Sequence, residues 1–347
     1  MPSKATAFLP HMFKAEANAE DECRAWICQL IDARDEVVAF VDARLYGKGT
    51  GDFHIGFRGH RPSVLIHFAK PGHAKWQWRT KKAMNEVHII QYLRQHTTIP
   101  LPYIPCWGLT EESPRQLGSF IIMDFIAGAR LSTFLKQSTK DEDAEMVLNP
   151  AFRDETLYTI HNQLADCILQ ISRLEFSLIG AISKDASETW AVTNRPLTYD
   201  INELATGTGY SVAQLPTAPF HRTSNFFQSV SNQRLFHLET QQSLAKDEAD
   251  VRRRFIARHR FKQPIPEYGI NGGNPFKVFC NDMQPAHMLT GLKTLQIAPN
   301  LNFEFTDSMP ASPTYGSIEI ATCFRKVDSQ LALEPQVICL INAKRTS

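Results

Sequence analysis

Phe279-Cys-Asn-Asp-Met-Gln-Pro-Ala-His-Met-Leu289, followed closely by Asn300-Leu-Asn-Phe-Glu-Phe305, is the part of the chain that says most about its fold. The first stretch places the carboxylate of Asp282 in a short polar segment. The second carries an amide and a carboxylate, Asn302 and Glu304, on either side of a phenylalanine. Taken alone, Asn281-Asp282 is only a turn signal. Its meaning therefore depends on the segments that surround it in the chain.

The bulk composition is that of an ordinary globular protein. The chain has 347 residues, enough for one large domain or two moderate ones, with 43% hydrophobic and 21% charged residues. A formal net charge of +1 gives no overall attraction to nucleic acid or to an anionic membrane. Neither nucleic acid nor a membrane is therefore expected as a partner.

The cysteines and the N-terminal region indicate a compartment. The seven cysteines are scattered, without a Cys-x-x-Cys pair, which argues against a zinc site and a disulfide framework and suits a reducing environment. Residues 1–21 contain no apolar run of signal-peptide length. No run in the chain approaches the roughly 20 apolar residues of a membrane helix. We expect a cytoplasmic protein.

The region before about residue 127 is predicted to be small and strand-rich. Apolar spacing predicts a helix with a charged break at 22–45, strands at 64–68 and 120–126, and a helix at 81–96. The second strand contains one carboxylate, Asp124. The glycine cluster Gly47-Lys-Gly-Thr-Gly51 lies between the first helix and the first strand.

The region after about residue 127 is predicted to be mainly helical. Apolar residues keep to one helix face through 154–174, and 225–260 also has helical character. The run Arg252-Arg-Arg-Phe-Ile-Ala-Arg-His-Arg-Phe-Lys262 is the strongest cluster of positive charge. Such a run can bind RNA or an anionic substrate. Acidic residues precede it at helical spacing, however, and this favours a solvated helix face.

Five segments, in order, resemble the aminoglycoside phosphotransferase and choline-kinase-like family, especially its fungal members. They are Asn85-Glu-Val-His-Ile-Ile-Gln-Tyr-Leu93, Ile99-Pro-Leu-Pro102 with Trp107-Gly108, Gly118-Ser-Phe-Ile-Ile-Met-Asp-Phe-Ile-Ala-Gly128, and the two stretches quoted first. Their order and spacing match the family from about residue 45 to about residue 313.

The resemblance implies a two-lobed, protein-kinase-like α+β fold. It places a small antiparallel-sheet N-lobe, with an N-terminal helical extension, in residues 1–127. A larger helical C-lobe, with the catalytic and metal loops, would occupy 128–313. Residues 314–347 depart from the family, whose members continue with tryptophan-rich helices, and form an atypical tail.

The resemblance also implies a site for ATP. Gly49 and Gly51 would cover its phosphates, although a glycine cluster is explained equally well by an ordinary β-turn. His67 stands where the family has a basic residue against the phosphates, with Glu86 as its partner. A histidine in an apolar strand is otherwise usually a hydrogen-bonded core residue.

Two further residues complete the implied nucleotide site. Asp124 and Ile126 belong to the segment that would link the two lobes. Adenine is normally held there by backbone groups, so the identity of the side chains matters little.

Asp282 would be the catalytic base, which accepts the proton of a substrate hydroxyl as that hydroxyl attacks the γ-phosphate. His287 and Asn302 occupy the positions of the magnesium ligands. Imidazole suits Mg²⁺ poorly and Asn302 lacks a charge, while Glu304 could compensate with its carboxylate. Two functions follow: ATP-dependent phosphoryl transfer to a hydroxyl of a small molecule, or a pseudokinase that binds a nucleotide or a partner without transfer.

Overall fold

The computed structural model describes residues 9–46, 63–71, 76–137, 147–207, 210–240, 245–268, 275–291, 294–299, 303–310 and 339–341. Over these residues the protein combines α-helices with small antiparallel sheets. The expected α+β class is therefore confirmed. In the described part of the chain, no helix has both the length and the apolar character that a membrane span requires.

The helices vary from one turn to more than five. They are α1 (Leu9–Asp32), α2 (Arg34–Tyr46), α3 (Trp76–His96), α4 (Leu131–Leu135), α5 (Asp154–Ser172), α6 (Tyr199–Gly207), α7 (Thr223–Thr240), α8 (Glu248–Lys262) and α9 (Ile265–Tyr268).

The strands are short. They are β1 (Val64–Phe68), β2 (Cys106–Gly108), β3 (Phe120–Asp124), β4 (Ala129–Arg130), β5 (Glu175–Phe176), β6 (Ala181–Lys184), β7 (Trp190–Asn194), β8 (Phe276–Cys280), β9 (Met288–Thr290), β10 (Ile297–Pro299), β11 (Thr306–Met309) and β12 (Cys339–Ile341). They form one four-stranded sheet in the order β12-β1-β3-β2, two three-stranded sheets, β10-β9-β4 and β11-β8-β5, and the hairpin β6-β7.

The four-stranded sheet is covered on both faces, and the alternation of its side chains decides which residue meets which helix. Side chains alternate between the two faces of a strand. Val64, Ile66 and Phe68 of β1 accordingly join the cluster formed with α1 and α2. Leu65 belongs to the other cluster, which contains α3. His67, two residues beyond Leu65, therefore lies on the face that α3 covers.

The helix α3 is the main partner of that second face. Its sequence contains neither glycine nor proline, and it ends shortly before Pro100, which cannot continue a helix. Val87, Ile90 and Leu93 are fully buried in the cluster with Leu65. This packing fixes how the polar residues of α3 are presented to β1.

The pairing of β8 with β11 positions the loop of Asp282 beside the segment 303–305. The register places Cys280 opposite Thr306 and Phe279 opposite Asp307. The loop that follows β8 and the loop that precedes β11 consequently leave the sheet at the same end. A backbone hydrogen bond from Asn281 N to Phe305 O, 3.2 Å long, continues the connection beyond the strands.

Several predicted boundaries were wrong by a few residues. The helix expected at 81–96 begins at Trp76, and the strand expected at 120–126 ends at Asp124. The helical region expected at 225–260 is two helices, α7 and α8. The side chain of Asp247 accepts a hydrogen bond from Asp250 N and thereby caps α8, so a new helix starts there.

The tail also contributes to the first sheet. Residues 314–347 were expected to be a separate atypical segment, yet Cys339–Ile341 pairs antiparallel with Val64–Ile66. Part of the C-terminal sequence thus lies beside the strand that carries His67.

Candidate functional site

His67 and Glu86 face each other between β1 and α3. The Nδ1 atom of His67 lies 3.5 Å from Oε2 of Glu86, an ion-pair distance that is longer than a typical hydrogen bond. Both side chains are largely buried, with 15% and 2% of their surface exposed. Because an unpaired buried charge is costly, the pair is best stabilised when His67 carries a proton.

The electrostatic surroundings of His67 favour that proton. Burial by itself lowers the pKa of the imidazole, but the contact with Glu86 and its charge, together with the charge of Glu304, outweigh burial and the opposing charge of Lys82. The pKa of His67 is therefore raised above its ordinary value of 6.5. A group of this kind is protonated to a substantial degree near neutral pH.

Lys82 and Glu304 form a second cation–carboxylate pair beside the first. Lys82 Nζ lies 3.4 Å from Glu304 Oε1 and 4.7 Å from the centre of the Phe305 ring. The side chain of Asn85 donates a hydrogen bond of 2.9 Å to the backbone oxygen of Glu304. Helix α3 thus holds the loop before β11 through two side chains.

Glu304 also connects this cluster to the loop after β8. Cys280 is partly buried, and desolvation is the main cause that raises the pKa of its thiol to about 12. The charges of Asp282 and Glu304 both add to this rise, so both carboxylates act on the same sulfur atom. The carboxylate near His67 and the carboxylate of Asp282 accordingly belong to one electrostatic neighbourhood.

Asp282 is held by residues of its own loop. Its Oδ1 atom accepts a hydrogen bond of 3.1 Å from Nε2 of Gln284, and its side chain is 20% exposed. A carboxylate that is fixed in position and still reaches solvent can accept a proton from a bound hydroxyl group.

His287 uses both of its ring nitrogens within that loop. Its Nδ1 lies 2.9 Å from the backbone oxygen of Asp282, which can only accept, so Nδ1 carries the proton of the neutral ring. Its Nε2 lies 3.4 Å from the amide nitrogen of Gln284, which donates. The imidazole is only 6% exposed.

The residues present do not fit a magnesium ion at this position. Mg²⁺ prefers oxygen ligands in octahedral geometry, whereas the one lone pair of His287 belongs to nitrogen and faces the Gln284 amide. Among the described residues, no group of three or more histidine, cysteine, aspartate or glutamate side chains is arranged to hold a metal ion.

Asp124 and Ile126 lie at the end of β3 and just after it. The backbone N–H of Asp124 donates to Tyr103 O over 2.9 Å, and its Oδ2 accepts from Tyr103 N over 3.3 Å. The next amide, of Phe125, donates to Ser63 O over 3.2 Å. The N–H of Ile126 takes part in none of the described backbone hydrogen bonds.

Three of the predicted site residues cannot be placed. Gly49, Gly51 and Asn302 lie outside the described residues. The structure thus brings together His67 with Glu86, and Asp282 with His287, while the glycine cluster and the second metal position stay as predictions.

Lys82 was not identified from the sequence as a site residue, and Glu304 was given a different role. Lys82 stands four residues before Glu86, the spacing that puts two side chains on one helix face, and this signal was available. Glu304 was considered only as a substitute metal ligand. Its contact with Lys82 depends on the long-range pairing of β11, which no local pattern reveals.

A second buried titratable group, Asp307, belongs to β11, which packs against α3. Asp307 is fully buried, and its Oδ2 accepts a hydrogen bond of 3.0 Å from Leu197 N. Burial raises its pKa to about 7, although that hydrogen bond and the charges of Lys81 and Arg195 oppose the rise. Burial, with the charge of Arg195, lowers the pKa of Lys81 to about 8.

The chain was also compared with known proteins. It matches no protein-family model and no curated protein.

Proposed function

We propose that the chain has the two-lobed architecture of the kinase-like phosphotransferases and binds a nucleotide, ATP, between the lobes. In this proposal residues 1–127 are the small lobe and residues 128–313 are the large one. The antiparallel sheet with α3 against one face supports the first assignment. The segment after β3 would be the connection between the lobes.

One observation carries the proposal: the paired His67 and Glu86 share an electrostatic neighbourhood with Asp282 through Glu304. In kinase-like enzymes a cation on a strand is anchored by a glutamate on the adjacent helix and binds nucleotide phosphates. A carboxylate in the catalytic loop faces the same phosphates from the other side. The relation between these residues agrees with that arrangement.

The nucleotide would be held by groups of two kinds. Protonated His67 would bind phosphate oxygens, and Glu86 would keep the imidazole protonated and in place. Backbone groups around Ile126, in the segment that follows β3, would hold the adenine. Gly49 and Gly51, outside the described residues, would cover the phosphates.

The reaction that this site supports is phosphoryl transfer to a hydroxyl group of a small molecule. Asp282 would orient that hydroxyl and accept its proton as the oxygen attacks the γ-phosphate. Gln284 keeps the carboxylate in position through the hydrogen bond to Oδ1. We route no step through magnesium, because His287 does not fit that ion.

A second function, nucleotide or partner binding without transfer, is favoured by one specific contact. His287 is bonded through both ring nitrogens to its own loop and lies 3.4 Å from Asp282 Oδ2. A proton on that imidazole would stabilise the ionised carboxylate and weaken it as a base. A protein with such a site would still bind its ligand in the cleft but would transfer phosphoryl groups much more slowly.

Turnover separates the two functions. ATP hydrolysis and transfer to a panel of small hydroxyl compounds would be measured for the wild type and for Asp282→Asn. Asp166→Asn is the matched control, because Asp166 also accepts a hydrogen bond from a glutamine, 2.7 Å from Gln170 Nε2, on the exposed side of α5. If Asp282→Asn abolishes turnover and Asp166→Asn preserves it, the protein is an enzyme with Asp282 in its active site. ATP binding without turnover in any of the three supports the second function.

A further inference from the structure

We propose that Lys82 is a second phosphate-binding cation of the nucleotide site, held by Glu304 as His67 is held by Glu86. The inference rests on the proposed function, since it adds a residue to the same nucleotide site. The resemblance to kinase-like enzymes implies one phosphate-binding cation, on the strand at the position of His67. The present proposal adds a second cation, on helix α3.

The position of Lys82 follows from the helix. Lys82 and Glu86 are four residues apart on α3, and residues at this spacing lie on one face, one turn apart. Since Glu86 faces His67, Lys82 lies beside the same strand residue. The charge of Lys82 indeed acts on the imidazole and opposes its protonation. The two cations are therefore neighbours.

Lys82 is oriented by contacts on two sides. Its ammonium group lies 3.4 Å from Glu304 Oε1 and 4.7 Å from the centre of the Phe305 ring. Its side chain is 16% exposed and that of Glu304 is 12% exposed, so the pair is largely shielded from water. The electrostatic interaction of a shielded charge with a ligand is stronger than that of a solvated one.

The contact with Glu304 uses only part of the donor capacity of Lys82. The ammonium group pairs with one oxygen of this carboxylate, Oε1, at 3.4 Å. A lysine ammonium has three donors. One can stay on Glu304 while the others bind phosphate oxygens.

The charges of the cluster also require a second cation. Glu86 and Glu304 contribute two negative charges beside His67. With a neutral imidazole, the side chains of His67, Glu86, Lys82 and Glu304 would have a net charge of −1. Without the charge of Lys82, the cluster would be more negative and would repel a polyphosphate more strongly. A lysine keeps its charge throughout the physiological pH range, whereas a histidine does not.

Binding of ATP and of adenosine to Lys82→Met tests the proposal. We expect the affinity for ATP to fall about 10- to 100-fold, the range for loss of a charged hydrogen bond, and the affinity for adenosine to stay unchanged. Lys82→Arg, which keeps the charge, should retain most of the affinity for ATP.

The matched control is Lys184→Met. Lys184 also pairs with a glutamate, 2.9 Å from Glu188 Oε2, and lies 5.6 Å from the ring centre of Trp190, but it belongs to the β6-β7 hairpin. This variant should bind ATP like the wild type.

Each outcome supports or overturns a defined claim. Equal affinity of Lys82→Met and the wild type for ATP would overturn the role of Lys82, as would a parallel loss of adenosine binding, which marks a structural role. If the wild type binds neither ligand, the proposed function itself fails. Should Lys82→Met not fold, Lys82→Gln takes its place in the same titrations of ATP and adenosine, and equal ATP affinity of Lys82→Gln and the wild type would overturn the role of Lys82.

Discussion

The Nδ1 atom of His287 lies 2.9 Å from the backbone oxygen of Asp282 and 3.4 Å from Oδ2 of the same residue. His287, a potential metal ligand, thus uses one ring nitrogen to contact Asp282, the residue that would act as the base. The contact keeps Asp282 in place. It also places the imidazole next to the carboxylate, where it can compete with a substrate hydroxyl. In the function that we propose, His287 is therefore the residue that separates an enzyme from a binding protein.

Replacing His287 should therefore increase activity rather than reduce it. In His287→Asn with Asn302→Asp, oxygen ligands stand at both positions where kinase-like enzymes hold magnesium. We expect ATP turnover to rise about tenfold or more, since each 1.4 kcal/mol of recovered stabilisation gives about a factor of ten. Initial rates over a series of magnesium concentrations would measure it.

The control for that experiment is another histidine bonded to a backbone oxygen. His161 Nδ1 lies 2.8 Å from Leu157 O on the exposed side of α5, and His161→Asn should leave turnover unchanged. An unchanged rate in the double variant would show that the two substitutions do not limit activity.

ATP affinity should depend on pH through His67. The raised pKa of His67 means that the imidazole is protonated at mildly acidic pH and loses its proton as the pH rises through that value. Affinity should accordingly fall over this interval. His67→Lys should remove the dependence and bind ATP about tenfold more tightly above this interval, where a lysine keeps its charge.

Titrations of ATP over a series of pH values from 6 upward would measure both effects. His96→Lys adds the same charge at the end of α3, where His96 is bonded to Tyr92 O, and should leave the pH dependence in place. A pH dependence that persists in His67→Lys would exclude His67 as its origin.

Phe303 should be important for stability. It is 2% exposed and belongs to the cluster that contains Val87, Ile90 and Leu65, so it fastens the loop before β11 to α3 and β1. Phe303→Ala should lower the free energy of unfolding by about 3–5 kcal/mol, the usual cost of this truncation in a core. Phe255→Ala, at a position 43% exposed on α8, should cost about 0.5 kcal/mol or less. Urea unfolding would measure the free energies of unfolding of both variants. An equal loss of stability in the two would contradict the packing of Phe303 in the core.

Asp307 should make stability depend on pH. Its pKa is about 7 in the folded protein, whereas an aspartate in an unfolded chain titrates at about 3.9. Between these values the folded state holds a proton that the unfolded state has lost. Stability from this group is therefore complete below pH 4 and is lost as the pH rises toward 7.

Asp307→Asn should flatten this dependence, because an amide does not titrate and can still accept from Leu197 N. The opposite contribution of Lys81, whose pKa is lowered to about 8, acts above this window. Melting temperatures between pH 4.5 and pH 6.5 measure the slope. The same slope in the variant and the wild type would show that Asp307 is ionised in the folded state.

Local patterns predicted the elements that surround the site better than the contacts within it. The apolar run 64–68 and the helix pattern of Val87, Ile90 and Leu93 predicted β1 and α3, and the alternation of β1 explains why His67 meets Glu86. The boundaries were less accurate, because Trp76 and its neighbours extend α3 without any apolar periodicity.

The remaining contacts depend on residues far apart in the sequence. Lys82 meets Glu304 only because β8 pairs with β11 and brings the loop of Phe303 under α3. The bond between His287 and Asp282 is local, but it depends on side-chain orientation, which a sequence pattern does not specify. An aspartate is seldom fully buried, so a sequence pattern gives no reason to expect that Asp307 is.

The proposed function requires that the protein bind a nucleotide at the cluster of His67 and Glu86. Calorimetric titration of ATP into the wild type and into His67→Ala, with and without magnesium, measures this binding. We expect saturable binding by the wild type and an affinity at least about tenfold lower for His67→Ala, in line with the loss of a charged hydrogen bond. Absence of ATP binding in the wild type, or equal affinity in the two proteins, would contradict it.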